Sequence, residues 1–354
     1  MLRERYNAEE TVQLDKVLPN MKSGGLSTTG FLFGAGTSVE AGYPMMPGLT
    51  REVIGGLGMA DRCSLDEVLD HVGLSYDAVK GEPNVEIIAD HVIAHVISTH
   101  QPRFHALEVR LRELVTDVIL SVGSPVLDRH VAFLTSLKTR AYGRPACVYI
   151  FTTNYDLLFE LAGAETGVVV ETGFIGSVER FFDPQRFAFS CGTLTNSRFS
   201  EHPVLTVRLV KLHGSVSWVS RNGRFFERHP ASIAAADRRV MILPRRRKVM
   251  DTLHAPHDAL FTAARGAVGA DCKYLVSCGF SFGDDHINDN LLHPVVNAGR
   301  IRLFALCEYE TEGMKQLKTA GAFSAGFKDG GIINGVAHSD GTDCWMFSRF
   351  VEMF

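Results

Sequence analysis

The sequence predicts an α/β fold built on a mostly parallel sheet, and three observations carry that prediction. Its strand-like runs, Thr29–Phe33, Ala146–Thr152, Val168–Val170, Leu205–Leu212, Val240–Leu243, Lys273–Cys278 and Ile301–Leu306, are mostly continuous apolar stretches, as strands covered on both faces are. Segments with helical spacing lie between them, including Ser64–Val79, Val85–Thr99, Phe104–Val122 and Val126–Thr139, so strand and helix alternate. The first strand runs into a Gly-x-Gly turn, Gly34-Ala35-Gly36, with a further helix expected after it, which is the opening of a Rossmann-like βα unit.

At 354 residues, 45% of them hydrophobic and 21% charged, the chain can bury one large core and still host a lobe. The stretch from Thr50 to Arg144 offers helical patterns and no convincing strand. The expectation is therefore one domain over 1–354, with a Rossmann-like core at 1–49 and 145–354 and a helical insertion at 50–144. A second interruption, Phe174 to Pro203, is rich in Phe, Gly, Ser and Asn and reads as loop or a small excursion.

Charge and cysteine content exclude several function classes. The formal net charge of −4 provides no overall positive field for DNA, RNA or an anionic membrane, so direct nucleic-acid binding is not expected. A local basic cluster, Arg238-Arg239 with Pro244-Arg245-Arg246-Arg247-Lys248, reads as a solvated surface or a subunit contact before it reads as a nucleic-acid patch. No run approaches the ~18 consecutive apolar residues of a membrane span, and the first residues lack the apolar centre of a signal peptide. A cytoplasmic location is expected. Seven cysteines occur with no C-x-x-C pair, against both a disulfide framework and a structural zinc ribbon. His254 and His257 have the spacing of a shared helix face, but no carboxylate or thiolate completes a metal set, and no metal is expected.

Five places carry chemistry. In Gly34-Ala35-Gly36-Thr37-Ser38, followed by Gly42-Tyr43-Pro44, glycines would admit a pyrophosphate to the backbone and the following helix would offer its N–H groups. The last glycine stands six residues after Gly36, so the hydride-transfer fingerprint G-x-G-x-x-G is not met. The second apolar run ends in Thr152-Thr153-Asn154-Tyr155-Asp156, which puts Asn154 and Asp156 at a strand's carboxyl end, either to meet sugar hydroxyls or to cap the next helix. Leu212-His213-Gly214-Ser215 ends another strand, and a histidine there can take a proton from a ribose hydroxyl or a water, or can be structural. Gly279-Phe280-Ser281-Phe282-Gly283-Asp284-Asp285-His286 forms a second small-residue turn, where Gly279 and Ser281 could admit phosphate or ribose and Asp284 or Asp285 could cap a helix. Glu308, after the run ending at Leu306, could accept from an adenosine ribose.

Taken together and in this order, Gly34-Ala-Gly-Thr-Ser38 with Gly42-x-Pro44, Thr153-Asn154-Tyr155-Asp156, Leu212-His213-Gly214-Ser215 and Gly279-x-Ser281 resemble the sirtuin superfamily. The resemblance spans roughly 25–50, 145–220 and 270–310. It implies NAD+ as the bound and consumed dinucleotide. Ala35, Gly36 and Ser38, within the turn Gly34–Ser38 that includes Thr37, would contact the phosphates, and Asn154 would hold the nicotinamide ribose. Asp156 would line the nicotinamide pocket, His213 would be the general base, Gly279 and Ser281 would lie on the adenosine side, and Glu308 would touch ribose. Two departures argue against acyl-lysine as substrate: Met45-Met46-Pro47 stands where sirtuin deacylases carry Asp-Phe-Arg, and their four zinc cysteines are missing. The helical insertion and the run Phe282–Ile287 are similar to the bacterial sirtuin-like NADases of antiphage defence.

That resemblance implies hydrolysis of the nicotinamide–ribose bond to deplete NAD+, with Asn154 and His213 as the catalytic pair. The alternatives are a zinc-free deacylase or ADP-ribosyltransferase, and a module that senses NAD+ or ADP-ribose without turnover. An unregulated NAD+ hydrolase would kill its host, so a homo-oligomer and a separate activating partner, such as a DNA-translocating ATPase or phage sensor, are expected. The apolar end of the chain, Trp345–Phe354, is expected to dock on the core or on a neighbouring subunit.

Overall fold

The computed structural model describes residues 25–190, 192–234, 237–243, 255–317 and 320–354. Residues 1–24, Cys191, the basic run Arg245–Lys248 and His254 lie outside the described residues.

Among the described residues, one sheet has nine strands. Its parallel part is β1 (Thr29–Phe33), β2 (Ala146–Thr152), β3 (Val169–Glu171), β8 (Leu205–Lys211), β12 (Tyr274–Cys278), β13 (Arg302–Leu306) and β14 (Phe323–Phe327). Two antiparallel strands, β15 (Gly330–Ile333) and β16 (Val336–His338), finish one edge, giving the order β16-β15-β14-β13-β12-β1-β2-β8-β3. The apolar run that predicts β1 is buried along its whole length. From β1 the chain builds outward through β2 to β3 and β8, then returns to β12 on the other side of β1. The strand order therefore reverses beside β1, and a crevice opens where the carboxyl ends of β2 and β12 flank it.

A second, antiparallel sheet, β4 (Phe174–Ile175), β5 (Arg180–Phe182), β9 (Gly214–Arg221), β10 (Arg224–Glu227) and β11 (Arg238–Met241), corrects two expectations. The interruption after Phe174 is not plain loop: β4 and β5 join this sheet, and β6 (Gly192–Thr195) and β7 (Arg198–Glu201) form a separate hairpin. The run Val240–Leu243 belongs to this sheet through β11, antiparallel to β9, and not to the parallel one. The sheet closes over Trp218 of β9, fully buried with its ring centroid 4.9 Å from that of Phe174.

Between β1 and β2 lie α1 (Met46–Gly55), α2 (Met59–His71), α3 (Val85–Thr99), α4 (Pro102–Ser121) and α5 (Asp128–Ala141). Helix α2 ends before Gly73, whose φ of 70° terminates it, so the predicted extent to Val79 is too long; Asp77 instead closes a turn, accepting from the Val79 and Lys80 amides at 2.9 and 3.1 Å. Helices α1 to α4 share a core that includes Leu49, Val53, Val68, Ile88, Phe104 and Leu111, and that core also takes in Val216 and Met241 of the second sheet. Helix α5 packs differently. Its Phe133, Leu134 and Leu137 lie in the core of the parallel sheet with Phe31, Phe33 and α6 (Leu158–Thr166).

The end of the chain docks on its own core. Helix α10 (Phe347–Glu352) brings Phe347 and Phe350 against Phe33 at centroid distances of 5.6 and 5.7 Å, and Phe354 against Phe31 at 5.6 Å. Fully burying each such ring contributes about 1.5–3 kcal/mol. Between β8 and β13 run α7 (His257–Ala267) and a helical stretch made of α8 (Asp285–Ile287), a π-helical turn Asn288–Leu292 and α9 (His293–Asn297).

Candidate functional site

A cleft of about 390 Å³ opens at the strand-order reversal. The ends of β1, β2, β8 and β12 supply Gly34, Ala35, Gly36 and Ser38, then Asn154 and Asp156, then His213, then Gly279, Ser281 and Asp284. The helical side supplies the opposite wall, with Tyr43, Met45, Met46 and Leu49 beside Glu86 and Ile119. Segments from four strand ends and from the helical side thus meet in one space.

The glycine turn is built by loop-on-loop packing. A Cβ at Gly34 would stand 2.6 Å from the Gly279 carbonyl oxygen, one at Gly36 would stand 2.7 Å from Gly279 Cα, and Gly279 itself has φ 65°. The Gly36 amide donates to that same carbonyl at 3.0 Å. These glycines therefore serve first to let the β1 and β12 loops touch, beside the expected approach of a pyrophosphate at Gly34 and Gly36 and of phosphate or ribose at Gly279. The segment that follows is a 3-10 turn, Ala35–Ala41, and not the expected α-helix; it ends at Gly42, whose φ of 100° closes it. Ala35 is exposed at its tip, whereas Thr37 is buried and spends its hydroxyl on the Gly34 carbonyl at 2.9 Å, so Thr37 shapes the turn without lining the cleft.

Asn154 leaves β2 with its amide held by Thr152 Oγ1 at 3.0 Å. Its Nδ2 donates to the Gly34 carbonyl at 3.0 Å and to Ser38 Oγ at 2.9 Å. A carbonyl oxygen needs a donor, which fixes the amide's orientation and leaves Oδ1 as its acceptor end. Ser38 Oγ in turn donates to Asp156 Oδ2 at 2.7 Å. Asp156 lines the cleft, and its Oδ1 also accepts from the Leu158 amide at 3.1 Å at the start of α6. Beneath it, Lys211, 1% exposed at the end of β8, donates to the Asp156 carbonyl and pairs with Glu160 Oε1 at 2.9 Å. Burial raises the Glu160 carboxyl above its ordinary range, an effect the Lys211 ammonium opposes. Burial and the nearby Asp156 and Glu160 charges raise the Tyr43 phenol as well, so its hydroxyl stays protonated in the cleft wall.

His213 stands at the corner between β8 and β9. The corner needs Gly214, at φ 85°, because a Cβ there would lie 2.5 Å from the Val240 carbonyl oxygen. The His213 carbonyl accepts from Ile242 at 2.9 Å, which ties the corner to the residue after β11. Its Nε2 lies 2.9 Å from Asp284 Oδ2, and both side chains are buried, at 6% and 7% exposure. Behind it, His257 has its pKa pushed down to about 4 by burial and by the neighbouring His213. Asp284, expected from the sequence as a helix cap, also lines the cleft. It does cap, accepting at Oδ1 from the His286 and Ile287 amides at 3.1 and 3.3 Å, but its second oxygen meets the imidazole.

Gly279 and Ser281 line the cleft as expected on the β12 side. Glu308 does not: it follows β13, is not among the lining residues, and faces Lys328 Nζ at 3.8 Å. The adjacent strand's loop, bearing Phe280 and Ser281, stands at the cleft in its place. Among the described residues no group of three or more His, Cys, Asp or Glu side chains is placed to hold a metal ion. No described helix is long and apolar enough to cross a membrane.

The sheet, its reversal beside β1 and the polar cleft at the strand ends define a Rossmann-like fold. Residues 148–319 match the family model of the SIR2-like domain, so the chain is sirtuin-like over the span that holds β2, β8, β12 and the residues Asn154, His213 and Asp284. The glycine turn after β1 precedes that span and joins it through the pairing of β1 with β2 and β12. No curated protein matches the chain. SIR2-like domains are NAD+-dependent enzymes, and the match supports an NAD+-related function for the chain.

Proposed function

We propose that the chain is an NAD+ glycohydrolase, and that it acts as the NAD+-depleting effector of a bacterial antiphage defence system. The observation that carries the enzymatic reading is the convergence of Asn154 and His213, from two different strands, on one cleft beside the glycine turn. Cleavage breaks the bond between the nicotinamide nitrogen and C1′ of its ribose. The electron pair leaves with nicotinamide, C1′ passes through an oxocarbenium-like state, and a water oxygen bonds to C1′. The proton released by that water passes to His213 and on to solvent, an effect ordinarily worth ~100- to 10,000-fold in rate. Asn154, oriented by Gly34 and Ser38, offers Oδ1 to a ribose hydroxyl or to the water. The balance needs no redox partner.

Water as acceptor is supported by the two departures from the deacylase pattern, Met45-Met46-Pro47 in place of Asp-Phe-Arg and the missing zinc cysteines, which leave acyl-lysine without its channel. The defence role is supported by the insertion of α1 to α4 and by the run Phe282–Ile287, the two features in which the sequence is similar to sirtuin-like defence NADases. Because free turnover would exhaust the host's NAD+, the reading includes a homo-oligomer and a separate activating partner, such as a DNA-translocating ATPase or phage sensor.

The test is chromatography of NAD+ incubated with pure protein, with and without candidate activating partners, and with no acylated peptide or acceptor protein present. Nicotinamide and ADP-ribose in equal amounts support hydrolysis. Turnover that depends strictly on an acylated peptide or acceptor protein would instead assign the deacylase or transferase reading, and tight binding without nicotinamide release would assign a sensing module.

A further inference from the structure

We infer that Asp284 is the positioning residue of His213: it fixes the imidazole's orientation and holds its proton on Nε2, so that Nδ1 carries the lone pair that takes the proton. This rests on the hydrolase reading of the same cleft. Three independent features of the structure assign the role.

The first is contact. Nε2 and Oδ2 are 2.9 Å apart in a pair of side chains that are both more than nine-tenths buried. An ionised carboxylate only accepts, so the shared proton sits on Nε2, and in a neutral ring the other nitrogen is then unprotonated. Once Nδ1 is protonated, the imidazolium faces a carboxylate at hydrogen-bond distance, which favours the charged intermediate.

The second is that capping alone does not explain the residue. Oδ1 completes the cap of α8 through the His286 and Ile287 amides. Serine, threonine or asparagine would cap as well, and none would need a second oxygen turned into the cleft. The two oxygens of Asp284 thus do two separate things, and the cap holds the carboxylate still while it meets His213.

The third is that the loop delivering Asp284 is held in a costly shape. Phe282, fully buried, has φ 55°, a left-handed conformation that a bulky residue adopts only where its surroundings impose it. Asn288 Nδ2 donates to the Phe282 carbonyl at 2.7 Å, and Gly313 packs against the same carbonyl so closely that a Cβ there would overlap it. Asn288 opens the π-helical turn Asn288–Leu292, so the irregular turn supplies the clamp for the loop that carries Asp284. Strain of this kind, fixed from two sides, is what placement of a carboxylate in a cleft requires and what a simple cap does not.

The experiment pairs a spectroscopic readout with a kinetic one on the full chain. Asp284→Asn and Asp284→Ser both retain a capping side chain, so thermal melting close to that of the parent is expected for each. In resting protein labelled with 15N-histidine, the His213 imidazole, assigned by its loss in His213→Gln, should show the Nε2–H form in the parent. In Asp284→Asn, whose amide can present a donor to Nε2, it should shift toward Nδ1–H. Nicotinamide release at saturating NAD+ should fall at least ~100-fold in both variants with KM changed less than about threefold. An unchanged tautomer in Asp284→Asn, or release within threefold of the parent in both variants, would overturn the proposal. A parent protein that releases no nicotinamide either alone or with candidate activating partners overturns the hydrolase reading, and the imidazole signals still decide the pairing.

Discussion

Two buried histidines separate the cleft from the core beneath it. His213 sits at 6% side-chain exposure with the Asp284 carboxylate 2.9 Å away. His130, on α5, is 1% exposed and lies between the rings of Phe159 and Phe347 at 4.8 and 4.7 Å, with neither ring nitrogen hydrogen-bonded among the described residues. Burial pushes the His130 pKa down to about 4, although the Asp156 and Glu40 charges work against the shift. A buried imidazole in an aromatic cage is thereby reduced to a neutral ring that fills space, whereas that of His213 has a carboxylate within hydrogen-bond distance. The same residue type thus sits in the core without a polar partner or in the cleft with one.

Exchanging those roles is the sharpest way to break the comparison. His213→Ala should lower nicotinamide release by ~100- to 10,000-fold with little change in melting temperature, and Asn154→Ala should do the same. Retained turnover in both variants, measured by nicotinamide chromatography, would remove the cleft's claim to catalysis. Phe347→Ala should open the cage around His130 and cost about 3–5 kcal/mol in urea unfolding, because the ring is buried against Phe33, Phe133 and Phe350.

The next effect is on pH. The His130 pKa is about 4 when folded against 6.5 for the free group. Below 6.5 the unfolded chain binds the proton that the folded one refuses, so the stabilisation is full above that pH and is lost as pH falls toward 4. At pH 5 the loss is about 2 kcal/mol. His130→Leu should therefore show a shallower fall of stability between pH 7 and pH 5 than the parent, by about that amount. His257, depressed to a similar value, will retain its own share of the slope. Equal slopes in parent and variant would show that His130 is not neutral in the fold. The smallest effect belongs to Glu308→Gln, which should leave the KM for NAD+ within about twofold, since the side chain faces Lys328 and not the cleft.

What the sequence revealed follows from the range of the signals. Continuous apolar runs made the parallel strands visible, because such strands announce themselves one at a time. The polar residues at their ends, Asn154, Asp156, His213, Gly279 and Ser281, were legible for the same reason, and they meet as expected. Asp284 stayed half-read. Its cap is local and readable, but its pairing with His213 depends on two loops from different strands, and the neighbouring Asp285 offered the same chemistry. The second sheet was hidden because β4 and β5 are two and three residues long and because the residues of β9 are buried on both faces from Gly214 to Val219 without an unbroken apolar run. Glu308 was misplaced by one strand: the rule that ligands gather at strand ends is right for β12, and the reversal beside β1 leaves β13 one position too far out.

The central claim is that this cleft cleaves NAD+ with water, and the most direct measurement is the fate of NAD+ in a concentrated solution of the pure protein, with and without candidate activating partners, beside Asn154→Ala. The account predicts nicotinamide and ADP-ribose accumulating together in the parent, without any acylated peptide, and neither in the variant. Nicotinamide that appears only when an acylated peptide or acceptor protein is added, or that appears equally in the variant, would contradict it.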